Sequence, residues 1–194
     1  MRKHFERRTK MKMKKACVFV LLMVLCMTGC VAQRAEVPID IAEMPDIVFL
    51  NTVDPNTGDG TGISGMTFYD KNGNHYISTD EEVCQMGYAR LVSEFASGNL
   101  SDKVELHTSC NIDELLENYQ KLCEVAQNSE YSIVYPEAMP TVEAEICSWY
   151  GLYYDENGEL RSLTIHKKER LSHLYANDER ANEIYDWYLG TFQS

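Results

Sequence analysis

An α+β domain, an antiparallel sheet of hairpins with about three amphipathic helices packed on one face, is predicted by three observations. Two Asn-Gly steps, Asn72-Gly73 and Asn157-Gly158, sit between alternating residues. Both residues tolerate positive φ, so each step reads as a tight hairpin turn. Three segments repeat apolar residues at helical spacing, and the remaining apolar runs are short enough for strands. Hairpins favour antiparallel pairing, and the helical stripes need a sheet face to cover.

The elements follow in order. Asp46–Val53 carries Ile47-Val48-Phe49-Leu50 and reads as a first strand. Residues 54–62 form a loop rich in Asp, Asn and Gly. Ile63–Tyr69 and His75–Ser78 are the arms of the first hairpin. Thr79 is placed to cap a helix, with Glu82 closing a capping box. Cys84, Tyr88, Leu91, Val92 and Phe95 share one face of that helix, and Gly98-Asn99 ends it. Lys103–Thr108 is a short strand. Asn111 caps a second helix with the stripe Leu115, Leu116, Tyr119, Leu122, Cys123 and Ala126. Tyr131–Tyr135 and Thr141–Tyr154 are strands, and the turn at 155–158 leads into Leu160–His166. A last helix starts near Asn177 and buries Ala181, Ile184, Tyr185 and Tyr188. Phe68–Gly73 and Tyr153–Gly158 are alike, offset by 85 residues. The two readings of this likeness are a duplicated β-β-α unit and a recurrent turn.

Charge divides the chain unevenly. The 194 residues hold 18 Lys+Arg and 30 Asp+Glu, a net charge of −12. An acidic surface argues against nucleic-acid binding, which needs cations to neutralise phosphates. Yet residues 1–15 carry eight of the basic residues and one acid, Glu6. The apolar run Ala16–Met27 follows; its 12 residues would span roughly 18 Å as a helix, short of the ~30 Å hydrocarbon core. This is the pattern of a secretory signal, with a basic n-region and a short h-region. A start at Met11 or Met13 rather than Met1 would make the n-region more compact.

The run ends in Met27-Thr28-Gly29-Cys30, which resembles the lipobox of bacterial lipoproteins, with Met27 in place of the usual Leu. The resemblance covers about residues 13–30. It implies cleavage before Cys30, lipidation of Cys30, and a protein held at the cell membrane facing outside the cytoplasm. The expected organisation is a signal peptide over 1–29, a lipidated Cys and tether over 30–45, and one α+β domain over 46–194. Removing 1–29 leaves 10 basic residues against 29 acids, a net charge of −19 over 165 residues. Such a domain is repelled by anionic lipid surfaces, so attachment depends on the lipid. A protein or peptide partner would be cationic where electrostatics matter.

Chemistry is harder to place. Cys84, Cys110, Cys123 and Cys147 permit two disulfides in an oxidising compartment, or serve as packed thiols. The 54–62 loop lacks the Lys-Ser/Thr end of a phosphate loop. Counted from Asp54, it puts Asp59 and Gly65 where an EF-hand needs Gly and Glu, although Asp54, Asn56 and Asp59 leave an irregular calcium site open. No cofactor signature and no Gly-x-Ser-x-Gly elbow is present. Trp149, Tyr150, Tyr153 and Tyr154 are the candidate ligand-binding residues, as rigid amphipathic surface, and the competing reading is cross-strand aromatic pairing inside the sheet and core. Gly151 among them would admit a ligand or a neighbouring backbone. Three functions are therefore carried forward, the third a metal-binding lipoprotein using acids of the 54–62 loop. The first is a non-enzymatic domain binding a protein, peptide or envelope component. The second is a small thiol- or metal-dependent hydrolase using Cys110 or Cys147 with His107 or His166.

Overall fold

The computed structural model describes residues 39–54, 64–127, 130–135, 146–169 and 172–191. The signal segment, Cys30, most of the tether, most of the 54–62 loop and the start of the strand expected from Thr141 lie outside the described residues.

The strands are β1 (Ile47–Asp54), β2 (Gly65–Asp70), β3 (Asn74–Ser78), β4 (Glu105–Ser109), β5 (Tyr131–Val134), β6 (Ile146–Tyr154), β7 (Leu160–Lys168) and β8 (His173–Ala176). The helices are α1 (Glu81–Cys84), α2 (Tyr88–Ala96), α3 (Ile112–Ala126) and α4 (Glu179–Thr191). The strands form one antiparallel sheet in the order β4-β3-β2-β1-β6-β7-β8-β5. The protein is thus an α+β domain built on an antiparallel sheet, as its hairpin turns and helical stripes predict. No helix among the described residues is long and apolar enough to cross a membrane.

The helices are divided between the two faces of the sheet instead of sharing one. On the first face Phe49, Tyr69, Trp149, Leu163 and Ile165 pack with Leu115, Tyr119 and Leu122 of α3 and with Ala181, Ile184 and Tyr188 of α4. On the second, Leu50, Met66, Phe68 and Leu152 pack with Val83 and Cys84 of α1 and Leu91 and Val92 of α2. A bulge between Ile47 and Phe49 resets the alternation of β1 at its start. Five successive residues of β1, Ile47 to Asn51, are buried, as a strand covered on both faces requires.

Local chemistry explains the departures from the expected elements. The first helix is capped by Asp80, whose carboxylate accepts from the Val83 N–H at 3.0 Å, and not by Thr79. Glu82 therefore closes no capping box; it pairs with Lys103 and Arg90. The single helix expected there breaks at Gln85-Met86-Gly87, with Gly87 in an extended conformation capping α2. β8 fills the stretch left unassigned before the last helix. Ile39, Ile41 and Met44, ahead of Asp46, pack on the core of the first face. The outer strands differ: β4 is exposed throughout, and β5 leaves Tyr131, Ile133 and Val134 exposed.

The two like segments make the same turn. Asp70 Oδ1 accepts from the Asn72 and Asn74 N–H groups at 2.9 and 2.8 Å, and Asp155 Oδ1 from those of Asn157 and Glu159 at 2.9 and 3.0 Å. Gly73 and Gly158 take φ of 83° and 76°, the left-handed region that a β-carbon disfavours. Beyond the turns the likeness ends. β3 runs into α1 and α2 on one face, whereas β7 is followed by β8 before α4 packs on the other.

Burial separates the two aspartates. Asp70 is 4% exposed and also accepts from Asn74 Nδ2 at 2.9 Å. Asp70→Ala leaves three donors without their acceptor in a part-buried turn, and an expected cost of about 2 kcal/mol follows. Asp155→Ala exposes its donors to water and should cost about 1 kcal/mol or less. Urea unfolding of the two variants measures the difference, and equal losses would refute the burial argument.

Candidate functional site

The aromatic run of β6 does not form one patch. Successive residues of a strand point to opposite faces, and the run is divided accordingly. Trp149 is buried on the first face, edge-on to Tyr185 at 4.9 Å and to His166 at 5.6 Å between ring centroids. Tyr150 lies on the second face, against the core under α1 and α2. Tyr153 is half-buried against α3, and Tyr154 is 43% exposed at the strand end. Gly151 admits neither ligand nor backbone: a β-carbon there would meet the side chain of Leu122, with Cγ at 2.9 Å. The glycine lets α3 settle onto the sheet.

Two concavities border this strand, one on each side. The larger, about 600 Å³, lies between the C-terminal end of α3 and the β6–β7 turn. Tyr153 and Tyr154 meet Cys123 and Ala126 there, and Gln127, Asp155, Glu156 and Asn157 supply polar groups. Arg161 donates to Asp155 at 2.8 Å, and this bond, with the Glu159 and Asn157 N–H groups, holds the carboxyl below its usual range. Asp155 is therefore an anion at neutral pH. Burial raises the Cys123 thiol, although its hydrogen bond with Tyr119 opposes the shift. Burial likewise raises the Tyr153 hydroxyl, with the Tyr131 hydroxyl adding in the same direction. The result is an aromatic ledge with fixed hydrogen-bonding groups and an acidic rim, suited to a hydroxylated or cationic ligand. The smaller concavity, about 310 Å³, lies under the break between α1 and α2.

The thiol and imidazole candidates are dispersed. His107 is on β4 and His166 on β7, five strand spacings apart in the sheet, or about 24 Å. Cys110 sits beside the first hairpin, where its N–H donates to the Gly73 carbonyl at 2.9 Å. Burial pushes its thiol up to about 11, and the carboxylates of Glu114 and Asp70 add to this. Desolvation outweighs the backbone hydrogen bond that lowers it, so Cys110 stays a thiol at neutral pH. Cys147 and His166 are closer, on the adjacent strands β6 and β7. There the imidazole is covered by the Tyr185 ring, stacked at 4.2 Å, and burial lowers its basicity.

Cys84 is buried on the second face, while Cys110, Cys123 and Cys147 are part-buried on the first. No disulfide joins any two of these four. No group of three metal-ligating side chains is present among the described residues, and of the loop acids only Asp54 falls within them. The division of the aromatic run was legible in the strand period of two. The ledge was not, because it joins residues 123–127 to 153–157 across the fold. No known family, curated protein or solved structure matches the chain.

Proposed function

We propose that the chain is a lipoprotein anchored at the cell membrane through Cys30, whose domain binds a protein, peptide or envelope component outside the cytoplasm. The anchoring half rests on the signal pattern ending at Met27-Thr28-Gly29-Cys30. The binding half rests on the ledge at Tyr153 and Tyr154, a cavity of about 600 Å³ with aromatic walls and the ionised Asp155 on its rim. Cavities of this size with a few fixed polar groups are typical ligand sites. With 29 acids against 10 basic residues after Cys30 is exposed, the domain favours a cationic peptide segment or a neutral hydroxylated ligand over an anion.

Two measurements on one preparation test this. The intact mass of protein purified from membranes should show a mature start at Cys30 carrying lipid. An unmodified Cys30, or a start elsewhere, refutes the anchor. A photo-crosslinking residue at Glu156 should capture a discrete adduct in whole cells, and Tyr153→Ala or Tyr154→Ala should reduce its yield several-fold. An adduct indifferent to both variants, or none, refutes the ledge as the binding surface.

A further inference from the structure

A second concavity lies on the opposite side of the sheet from α3. Its floor is Leu50, Met66 and Leu152, from the centre of the sheet. Its roof is the break between α1 and α2, where Met86 and Tyr88 overhang. The break is built locally. The Met86 N–H donates to the Val83 carbonyl and closes α1, and extended Gly87 starts α2 without a side-chain cap. Thr52, Tyr150 and Ser162 complete the wall, and among the described residues no charged side chain lines it.

We infer that this cavity is a binding site for one small, neutral, apolar molecule of about a dozen non-hydrogen atoms, aromatic or short-acyl, with a single polar end. Size, lining and charge support the assignment. The volume is about 310 Å³, roughly twice the ~150 Å³ that holds benzene in an engineered apolar cavity. Leu, Met and Tyr form the apolar surface, and Met66 and Met86 provide unbranched, polarizable side chains that adapt to a ligand's outline. The hydroxyls can receive one polar group of a ligand. An anion finds no cation in the lining among the described residues, since nearby Arg161 is engaged by Asp155 and Glu159, and the domain repels it as a whole. A cation finds no carboxylate there among the described residues either. The site is separate from the ledge, so the two assignments stand or fall independently.

The test uses 2-naphthol, a neutral bicyclic with one hydroxyl, and purified full-length protein labelled with methyl-¹³C methionine. The Met66 and Met86 methyl resonances should shift saturably, while that of Met44, buried in the opposite core cluster, stays in place. Ser162 is exposed at the cavity, so Ser162→Phe should block the site without disturbing the fold. It should weaken binding about tenfold or more, with an unchanged melting midpoint as the check on folding. The anion 2-naphthoate, of nearly the same shape, should bind about tenfold more weakly than 2-naphthol. Unmoved Met66 and Met86 resonances, or equal affinity in folded Ser162→Phe, would overturn the site. Equal binding of the anion would overturn its assignment to neutral ligands.

Discussion

Gly151→Val should destabilise the protein by about 3 kcal/mol, the upper part of the range for forcing added carbon into a packed core. Gly151 pairs with Phe49 on β1 and Leu163 on β7, in the middle of the sheet. A β-carbon at Gly151 would overlap the side chain of Leu122, which is fully buried. Leu122 belongs to the cluster joining α3 to Phe49, Tyr119 and Ile184. The overlap can be relieved only by lifting α3 or by moving Leu122 off its packed position, and either loses core contacts. Leu122→Ala alone should cost about 2–5 kcal/mol through the cavity it leaves. The double variant should cost less than the sum of the two, by about 1 kcal/mol or more, because the valine fills part of the space vacated by the leucine. Urea unfolding of the four proteins measures this cycle. Simple additivity would show that the glycine serves some purpose other than the seating of α3.

Acid should weaken the fold through His75. Its imidazole is fully buried, stacked at 4.6 Å on Tyr69 of β2 and edge-on at 5.8 Å to His107 of β4. Burial, with the charge of His107 adding to it, lowers its pKa from 6.5 to about 4. A histidine with a depressed folded pKa is protonated more readily in the unfolded chain. Unfolding therefore takes up a proton between pH 6.5 and 4, and stability falls as pH drops through that window. The loss is complete below about pH 4 and amounts to about 3 kcal/mol at 1.36 kcal/mol per unit. His166, lowered by burial and by His173, acts in the same sense. In His75→Phe, which keeps a ring against Tyr69, the slope of stability against pH between 4 and 6.5 should be shallower by one proton's share. Identical slopes in the two proteins would show that His75 does not carry the effect.

Much of the fold could be read along the chain because its determinants are local. Asp70 and Asp155 form their turns with residues no more than four positions away, apart from the ion pair to Arg161. Asn111 caps α3 from its own side chain, and Gly98 follows α2 with φ of 73°. Even the covering of both sheet faces left a sign, in the unbroken apolar run Ile47-Val48-Phe49-Leu50. The first helix departs from the local pattern at both its start and its middle. Asp80 competes with Thr79 for the cap one residue on, and the break at Gly87 concerns a glycine that the helical stripe alone passes over.

Sequence by itself determined the α+β class, the two hairpin turns, most of the run of elements and the lipobox-like segment, since each follows from spacing and side-chain chemistry within a few residues. Tertiary structure alone decided which face each helix covers, what Gly151 makes room for, how far His107 lies from His166, and which residues meet at the two cavities. These are contacts between parts of the chain tens of residues apart, as with Leu122 and Gly151 or Met66 and Leu152. Such contacts are chosen by the fit of whole surfaces, and no local pattern encodes that fit.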